Sequence, residues 1–324
     1  MSEQRPERTA PADLSNLKRI SVRDRATKVA ADRVAMLPAL DATISDYLDC
    51  LPGYLGVEQL RRLANAIALA HAARLPVIFF VGGHVVKVGC SPILIDLMRR
   101  GVITHLAMNG SVAIHDYEMA AGGATSEDVA AALGEGMWGM VRETAEALAI
   151  GARAGADSGI GFGAALGRHI LHSDLPCGDL SLLAAAYEHA RGATVHVGIG
   201  CDTVHMHPEA DGAAVGQASH IDFRILVSAI LEMDCDDPDV GGVFVNCGSA
   251  VFGPEVFIKA YNIARNQGCN LDSITTANLD MIQHYRPGVN VVARPAAPGR
   301  GLAITGQHEL TLPLLRMAIL KALH

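Results

Sequence analysis

Five short stretches bring together residue types that can do chemistry, and each follows an apolar run. They are Gly82-Gly83-His84, Asn109-Gly110-Ser111, Gly200-Cys201-Asp202, Cys247-Gly248-Ser249 and Thr276-Ala277-Asn278. Glycine at such a place lets a ligand come close to the backbone. A series of these ends suits a nucleotide or a phosphate-bearing ligand better than one alone would. His115-Asp116 lies just past the second stretch. The pair can act as acid and base or orient a cationic ligand, or Asp116 can cap a helix that begins there. Lys87 stands in the loop after the first stretch. It can bind a ligand anion, form an imine, or serve as a solvated surface lysine.

Other motifs carry less. Gly159-Ile-Gly161-Phe-Gly163 has the look of a dinucleotide fingerprint, but an Ala-rich helical stretch precedes it where a strand is required. A tight connection is the better reading. His205-Met-His207, close to Cys201 and Asp202, has two of the ligands a metal needs and no clear third or fourth, so no metal is expected. Asp234 to Asp239 is a carboxylate run placed before a strand and reads as a solvated turn. A G-x-S-x-G elbow and a Walker A loop are both absent.

These groups need elements to position them. Of 324 residues, 50% are hydrophobic and only 4% aromatic, with 33 glycines. That composition suits Val/Ile-rich parallel strands covered by Ala/Leu-rich helices. Periodicity predicts helices over Ala30 to Tyr47, Val57 to Ala72, Pro92 to Arg100, Ser126 to Leu133, Gly139 to Ile150, Leu180 to Ala190, Ile221 to Met233, Pro254 to Asn266 and Leu310 to Leu323. Strands are predicted at 76–81, 102–108, 194–199, 241–246, 273–277 and 302–304. Such alternation, with no Pro/Ser linker, predicts an α/β, Rossmann-like, doubly wound parallel sheet of about six strands. Residues 1–27 read as a flexible N-terminal arm and 28–324 as one α/β nucleotide-binding domain. Ligands of such sheets sit at the carboxyl ends of the strands.

The formal net charge is -8, and no basic stripe exists to neutralise phosphates, so nucleic acid is not an expected partner. Met1 to Leu14 lacks the apolar run of a secretion signal. No apolar run is long enough to span a bilayer, which excludes a membrane role. Seven scattered cysteines without a CxxC fit reduced thiols and a cytoplasmic setting.

The order of these units resembles deoxyhypusine synthase across about residues 55–320. The resemblance rests on Ile78-Phe-Phe-Val-Gly-Gly-His-Val-Val-Lys-Val-Gly-Cys-Ser-Pro92, Leu97 to Leu106 and Asn109-Gly-Ser-Val-Ala-Ile-His-Asp116. It continues through Leu182-Leu-Ala-Ala-Ala-Tyr187, Val195 to Asp202, Val240 to Ser249, the Thr275-Thr-Ala-Asn278 turn and Leu310-Thr-Leu-Pro-Leu-Leu315. Asn109 to Asp116 is also similar to the NAD-binding domain of certain ornithine-handling enzymes. The resemblance implies bound NAD, a small amine or amino-acid substrate and a homotetramer. It places NAD contacts on Gly83, His84, Gly89, Asn109, Gly110, Asp202, Thr276 and His308, to which the strand ends add Gly82 and Ser111. The family's acidic pair after the second strand falls at His115-Asp116.

One departure changes the expected chemistry. The family forms an imine on a lysine in a Trp-Gly-Lys stretch before its last helix. Here Asn278 to Pro295 has no lysine, the chain has only five, and none lies between Lys259 and Lys321. Arg286 or Arg294 cannot replace it, because guanidinium stays protonated; an arginine there suits a carboxylate or phosphate. The expectation is therefore an NAD-dependent enzyme, related to deoxyhypusine synthase but distinct from it. It would abstract hydride next to nitrogen and follow with transfer, hydrolysis or elimination of the imine. Acid–base or amine-orienting candidates are His84, His115, Asp116, Asp202 and His284, with Lys87 as a possible replacement lysine. The alternatives are a catalytically inactive nucleotide-binding subunit and a metal-assisted hydrolase using His205 and His207.

Overall fold

A computed structural model describes residues 9–324. The helix expected over Ala30 to Tyr47 forms only at its end: up to Thr43 the segment holds a 3-10 turn at Ala31–Arg33, and Val34, Leu37 and Leu40 stand in solvent. Pro38 lies in the middle of that stretch. It removes an amide donor and biases Leu37 away from helical geometry, so the apolar spacing there is incidental. Helix α1 (Ile44–Cys50) starts where a real cap exists. Asp46 N donates to Thr43 Oγ1 at 3.2 Å and Thr43 N donates to Asp46 Oδ2 at 3.0 Å, a reciprocal capping box.

After α2 (Leu55–Ala72) come β1 (Val77–Val81), the short α3 (Gly83–Lys87), α4 (Ser91–Arg99) and β2 (His105–Asn109). Then follow α5 (Gly110–Gly122), α6 (Val129–Leu133), α7 (Arg142–Ser158), α8 (Phe162–Leu171), α9 (Leu182–Glu188) and β3 (Gly192–His196). The second half is α10 (Gly212–Leu231), β4 (Val243–Cys247), α11 (Phe252–Asn266), β5 (Thr275–Asp280), α12 (Tyr285–Pro287), β6 (Gly301–Thr305) and α13 (His308–Ala322), with a π-helical stretch at Gly288–Ala293.

All strand pairs are parallel and the order is β3-β2-β1-β4-β5-β6. This is the doubly wound order in which the chain runs outward from β1, returns to its other side as β4, and runs outward again. β1 shows why the sheet is buried on both faces. Val77, Phe79 and Val81 enter a core shared with α2, α4, α5, α9 and α13, while Ile78 and Phe80 enter a second core with α10 and α11. In the second core Phe244 stacks on Phe257 with centroids 3.7 Å apart. Among the described residues no helix is long and apolar enough to cross a membrane.

The edge strand β3 is closed by α10. Asp222 accepts from Val195 N at 2.6 Å and from Gly163 N at 2.9 Å, and Ser219 Oγ receives Val197 N at 3.3 Å. One carboxyl thus satisfies an outward strand amide and the free N-terminus of α8. A side chain at Gly163 would collide with the Ala193 carbonyl and one at Gly161 with Asp222. The Gly159–Gly163 run is therefore a tight α7–α8 connection, and its glycines serve packing.

On the second face, Thr194 Oγ1 sits 3.0 Å from His105 Nε2 and 3.1 Å from His196 Nε2. Burial pushes His105 down to about 4 and His196 to about 3, so both rings are neutral. The unfolded chain takes up these protons near the ordinary histidine value of about 6.5. Between that value and about pH 4 the unfolded state therefore holds more protons, and stability falls as pH falls. Each ring contributes a slope of up to about 1.4 kcal/mol per pH unit. The buried Asp222 carboxyl, raised to about 8, adds an opposite slope to both proteins, so urea melts at successive pH values in this window are expected to differ in slope between the parent and His105→Gln/His196→Gln by the histidine contribution. An equal slope in both proteins would refute the assignment.

Candidate functional site

The chain reverses direction in the sheet between β1 and β4, and the loops leaving these strands touch. Gly82 N donates to Cys247 O at 2.9 Å, and a Cβ on Gly82 would strike the Gly248 carbonyl. Gly248 has φ +69 and its missing Cβ leaves room for His308, whose Nε2 would lie 2.8 Å from it. Gly82, Gly83, Gly248, Ser249 and His308 thus meet at the carboxyl ends of the two central strands. His84 is exposed beside them, its ring 5.8 Å from that of His308.

His308 is fully buried at the start of α13, and its Nε2 has no hydrogen-bond partner. Its Nδ1 is 3.7 Å from Cys247 Sγ. Burial raises the Cys247 thiol, and burial lowers the imidazole. A protonated thiol donates to Nδ1, which leaves the neutral ring's proton on Nε2. Where the thiol donates to Nδ1, the buried Nε2–H has no acceptor, and such a group costs about 1–3 kcal/mol while it remains unpaired.

Over the carboxyl ends of β1, β2 and β3 lies a cavity of about 710 Å³. Lys87, Ser111, His115, Glu118, Glu127, Trp138, Cys201 and Asp202 are on its wall. Helix α5 is the main support. Asn109 caps it, accepting from Val112 N at 3.2 Å and from Ser111 Oγ at 3.1 Å. His115 and Glu118 are one turn apart on its cavity face. The Asp202 carboxylate lies against the Cα of Gly110, where a side chain would displace it. Burial raises the Asp202 carboxyl, opposed by His205 and by the Gly198 amide. Burial also works against ionised Glu118, but the His115 ring 3.7 Å away and the hydrogen-bonding Thr125 hydroxyl outweigh it and hold this carboxyl below its usual range.

Gly82, Gly83, Asn109, Gly110, Ser111, His115, Lys87, Asp202, His84 and His308 thus gather at the carboxyl ends of β1 to β4. Other expectations about placement need correction. Asp116 does not begin a helix; α5 begins at Gly110, and Asp116 points inward from its middle with no exposure. It accepts from Ser181 Oγ at 2.6 Å, Leu182 N at 2.6 Å and Leu183 N at 3.1 Å, so it caps α9. Burial raises it to about 6 against those three donors. Thr276 is not at a strand end, because β5 continues to Asp280; its hydroxyl is buried and donates to Val291 O at 2.5 Å. Gly89 closes α3 with φ +75 in open space, and His284 is exposed after β5, away from the cavity wall.

The start expected at Ser126 shifts to Val129, with Asp128 as its cap. His207 Nε2 is 2.8 Å from Gly139 O, turned to a backbone carbonyl. Arg286 pairs with Glu255 at 3.5 Å and Arg294 donates to Asn290 at 2.9 Å. Glu118, Thr125, Glu127 and Trp138 were not singled out from the sequence as site residues. Glu118 had a readable signal, the three-residue spacing from His115.

No protein-family model and no curated protein matches this sequence. Solved structures do match in fold. AgrE, in a ternary complex with ornithine and NAD+, aligns at 12% identity over 82% of this chain and 33% of that chain, with a TM-score of 0.51. ArgZ, an arginine dihydrolase from the ornithine–ammonia cycle in cyanobacteria, aligns at 11% over 84% and 34%, TM-score 0.48. A conserved Methanococcus maripaludis S2 protein described as LOR/SDH aligns at 12% over 88% and 74%, TM-score 0.47. The chain spans about a third of the length of ArgZ and AgrE. At these identities the likeness is one of fold.

Because Asp116 satisfies buried amides at the start of α9, Asp116→Ala is expected to lower stability by about 3 kcal/mol, the scale of orphaned buried donors. Chemical denaturation measures this. An effect below about 0.5 kcal/mol, the range of ordinary surface substitutions, would contradict the capping role.

Proposed function

We propose that the chain is an NAD-dependent enzyme acting on a small amine or amino acid, with the dinucleotide at the carboxyl ends of β1 and β4 and the substrate in the adjoining cavity. The observation that carries this reading is the buried His308 Nε2, without a hydrogen-bond partner, beside Gly248 at the reversal point where doubly wound sheets take nucleotides. An oxygen-rich dinucleotide would supply the missing partner, beside the exposed His84 ring 5.8 Å from that of His308. The fold match to AgrE, whose complex holds ornithine and NAD+, supports the same reading.

NAD, when bound, accepts a hydride from the carbon next to nitrogen. The chain's own residues would bind and deprotonate the amine. Glu118, Glu127, Glu143 and Asp202 stand on the cavity wall against one cation, Lys87, a balance that draws a cationic amine. Lys87 would hold the carboxylate of an amino-acid substrate. His115, facing Gly83 and the cavity, would take the ammonium proton, since a protonated nitrogen has no lone pair with which to drive hydride loss. Covalent aminobutyl transfer through a lysine near residues 278–295 is not part of the reading, because that stretch has none.

Trp138, the lone tryptophan, is on the cavity wall and reports on the site. NADH titration followed by its quenching is expected to saturate below the millimolar range. His308→Ala should weaken binding about tenfold, the worth of one hydrogen bond at about 1.4 kcal/mol. No binding at millimolar NAD+ or NADH would remove the reading. If the cofactor binds, Lys87→Ala is expected to raise KM for an amino acid more than for the matching simple amine; equal effects would take the carboxylate role from Lys87.

A further inference from the structure

We propose that Glu118 is a positioning residue that, acting through Thr125, fixes the proton of His115 on Nδ1 and leaves Nε2 as a bare base facing the cavity. The catalytic meaning of this arrangement rests on the reading of that cavity as the substrate site; the proton positions do not.

The argument is one of donors and acceptors. Thr125 Oγ1 is 2.7 Å from His115 Nδ1 and also contacts Glu118 Oε2. Glu118 Oε1 receives Thr144 Oγ1 at 3.4 Å. An ionised carboxylate only accepts, and a threonine hydroxyl has one proton. If that proton went to His115, the hydroxyl oxygen and the Glu118 carboxylate would face each other as two acceptors. The arrangement that satisfies every contact runs one way: Nδ1–H to Thr125 Oγ1, and Thr125 O–H to Glu118. Neutral histidine then has its lone pair on Nε2.

That edge of the ring is the one turned to the site. A Cβ built on Gly83 would lie 3.3 Å from His115 Cδ2 and 3.7 Å from Nε2. The loop after β1 thus needs glycine there for the base to reach the cavity. When a substrate ammonium gives up its proton, its N–H bond breaks, the Nε2–H bond forms, and the positive charge moves to the ring. The nitrogen keeps the electron pair. Thr125 and Glu118 then stabilise the imidazolium from the opposite side, with Glu118 Oε2 3.7 Å from Nδ1.

Long-range proton–nitrogen NMR on histidine-labelled full-length protein at neutral pH reads the tautomer, with His115→Gln identifying the signal by its loss. His115 is expected to show the Nδ1–H pattern. In Glu118→Gln the new amide can donate to Thr125, which turns its own proton to the ring and shifts the population towards Nε2–H. Thr125→Val should abolish the preference and Thr125→Ser should restore it, so the pair carries the test even where Glu118→Gln does not fold. An Nε2–H pattern in the parent, or an unchanged pattern in both Glu118→Gln and Thr125→Val, overturns the proposal. NADH titration on the same samples separates the two questions: absence of cofactor binding with the relay intact removes the functional reading alone.

Discussion

The contact between the backbones of Gly82 and Gly248 is the constraint around which the site is built. β1 and β4 lie side by side at the sheet centre, and their exit loops must separate within one residue. A side chain at Gly82 would meet a carbonyl, which cannot swing aside as a flexible side chain would. The two loops therefore close on each other, tied by the Gly82 amide on Cys247 O. The consequences spread from there. Gly248, in a left-handed turn that glycine adopts without strain, gives His308 room to bury its ring. Gly83, the next residue, gives His115 and Ser111 room on the other side.

Buried carboxylates fix the helices around this centre. Asp116 on α5 caps α9, and Asp222 on α10 caps α8 while closing the outer edge of β3. Both reach across to another element, so each holds two helices in register as well as satisfying end groups. Their placement explains why an acidic residue near a strand end was ambiguous in sequence. Asp116 and His115 are adjacent, but successive helical residues point about 100° apart. One therefore faces the interior and α9, the other the cavity. Helical phase, more than closeness in sequence, decides which member of the pair can meet a ligand.

Most of the sheet was legible. Parallel strands covered on both faces read as unbroken apolar runs, and Val77–Val81 and Val243–Cys247 do so. Their ends led directly to the Gly82–Gly248 contact, and the end of the third strand to Asp202 on the cavity wall. Three things were hidden for physical reasons. α5 follows β2 with no intervening loop, so Gly110-Ser111 looked like a turn when it was already a first helical turn capped by Asn109. β5 was cut short at Ala277 because the polar Thr-Thr-Ala-Asn run resembles a loop, although buried partners satisfy it: Asn278 Nδ2 donates to Gln283 at 2.8 Å, and Asn246 donates to Asn278 at 2.7 Å. The Ala30 to Tyr47 pattern had helical spacing, but Val34, Leu37 and Leu40 have nothing to pack against and the helix forms only from Ile44. Periodicity alone does not stabilise a short helix; tertiary burial of one face does.

The missing lysine and the cavity wall constrain the chemistry together. A covalent imine on the protein needs an amine that can lose its proton, and the stretch in question has only guanidinium groups, spent on Glu255 and Asn290. The wall facing Gly83 instead presents a lone pair on His115, backed by an ionised carboxylate one hydroxyl away. Such a wall is suited to removing a proton from a bound cation and holding the resulting charge. Similar folds thus need not retain one reaction: function follows from the groups at the strand ends. In the proposed reading those groups handle an amine without a covalent imine on the protein, His115 taking the proton with Glu118 behind it.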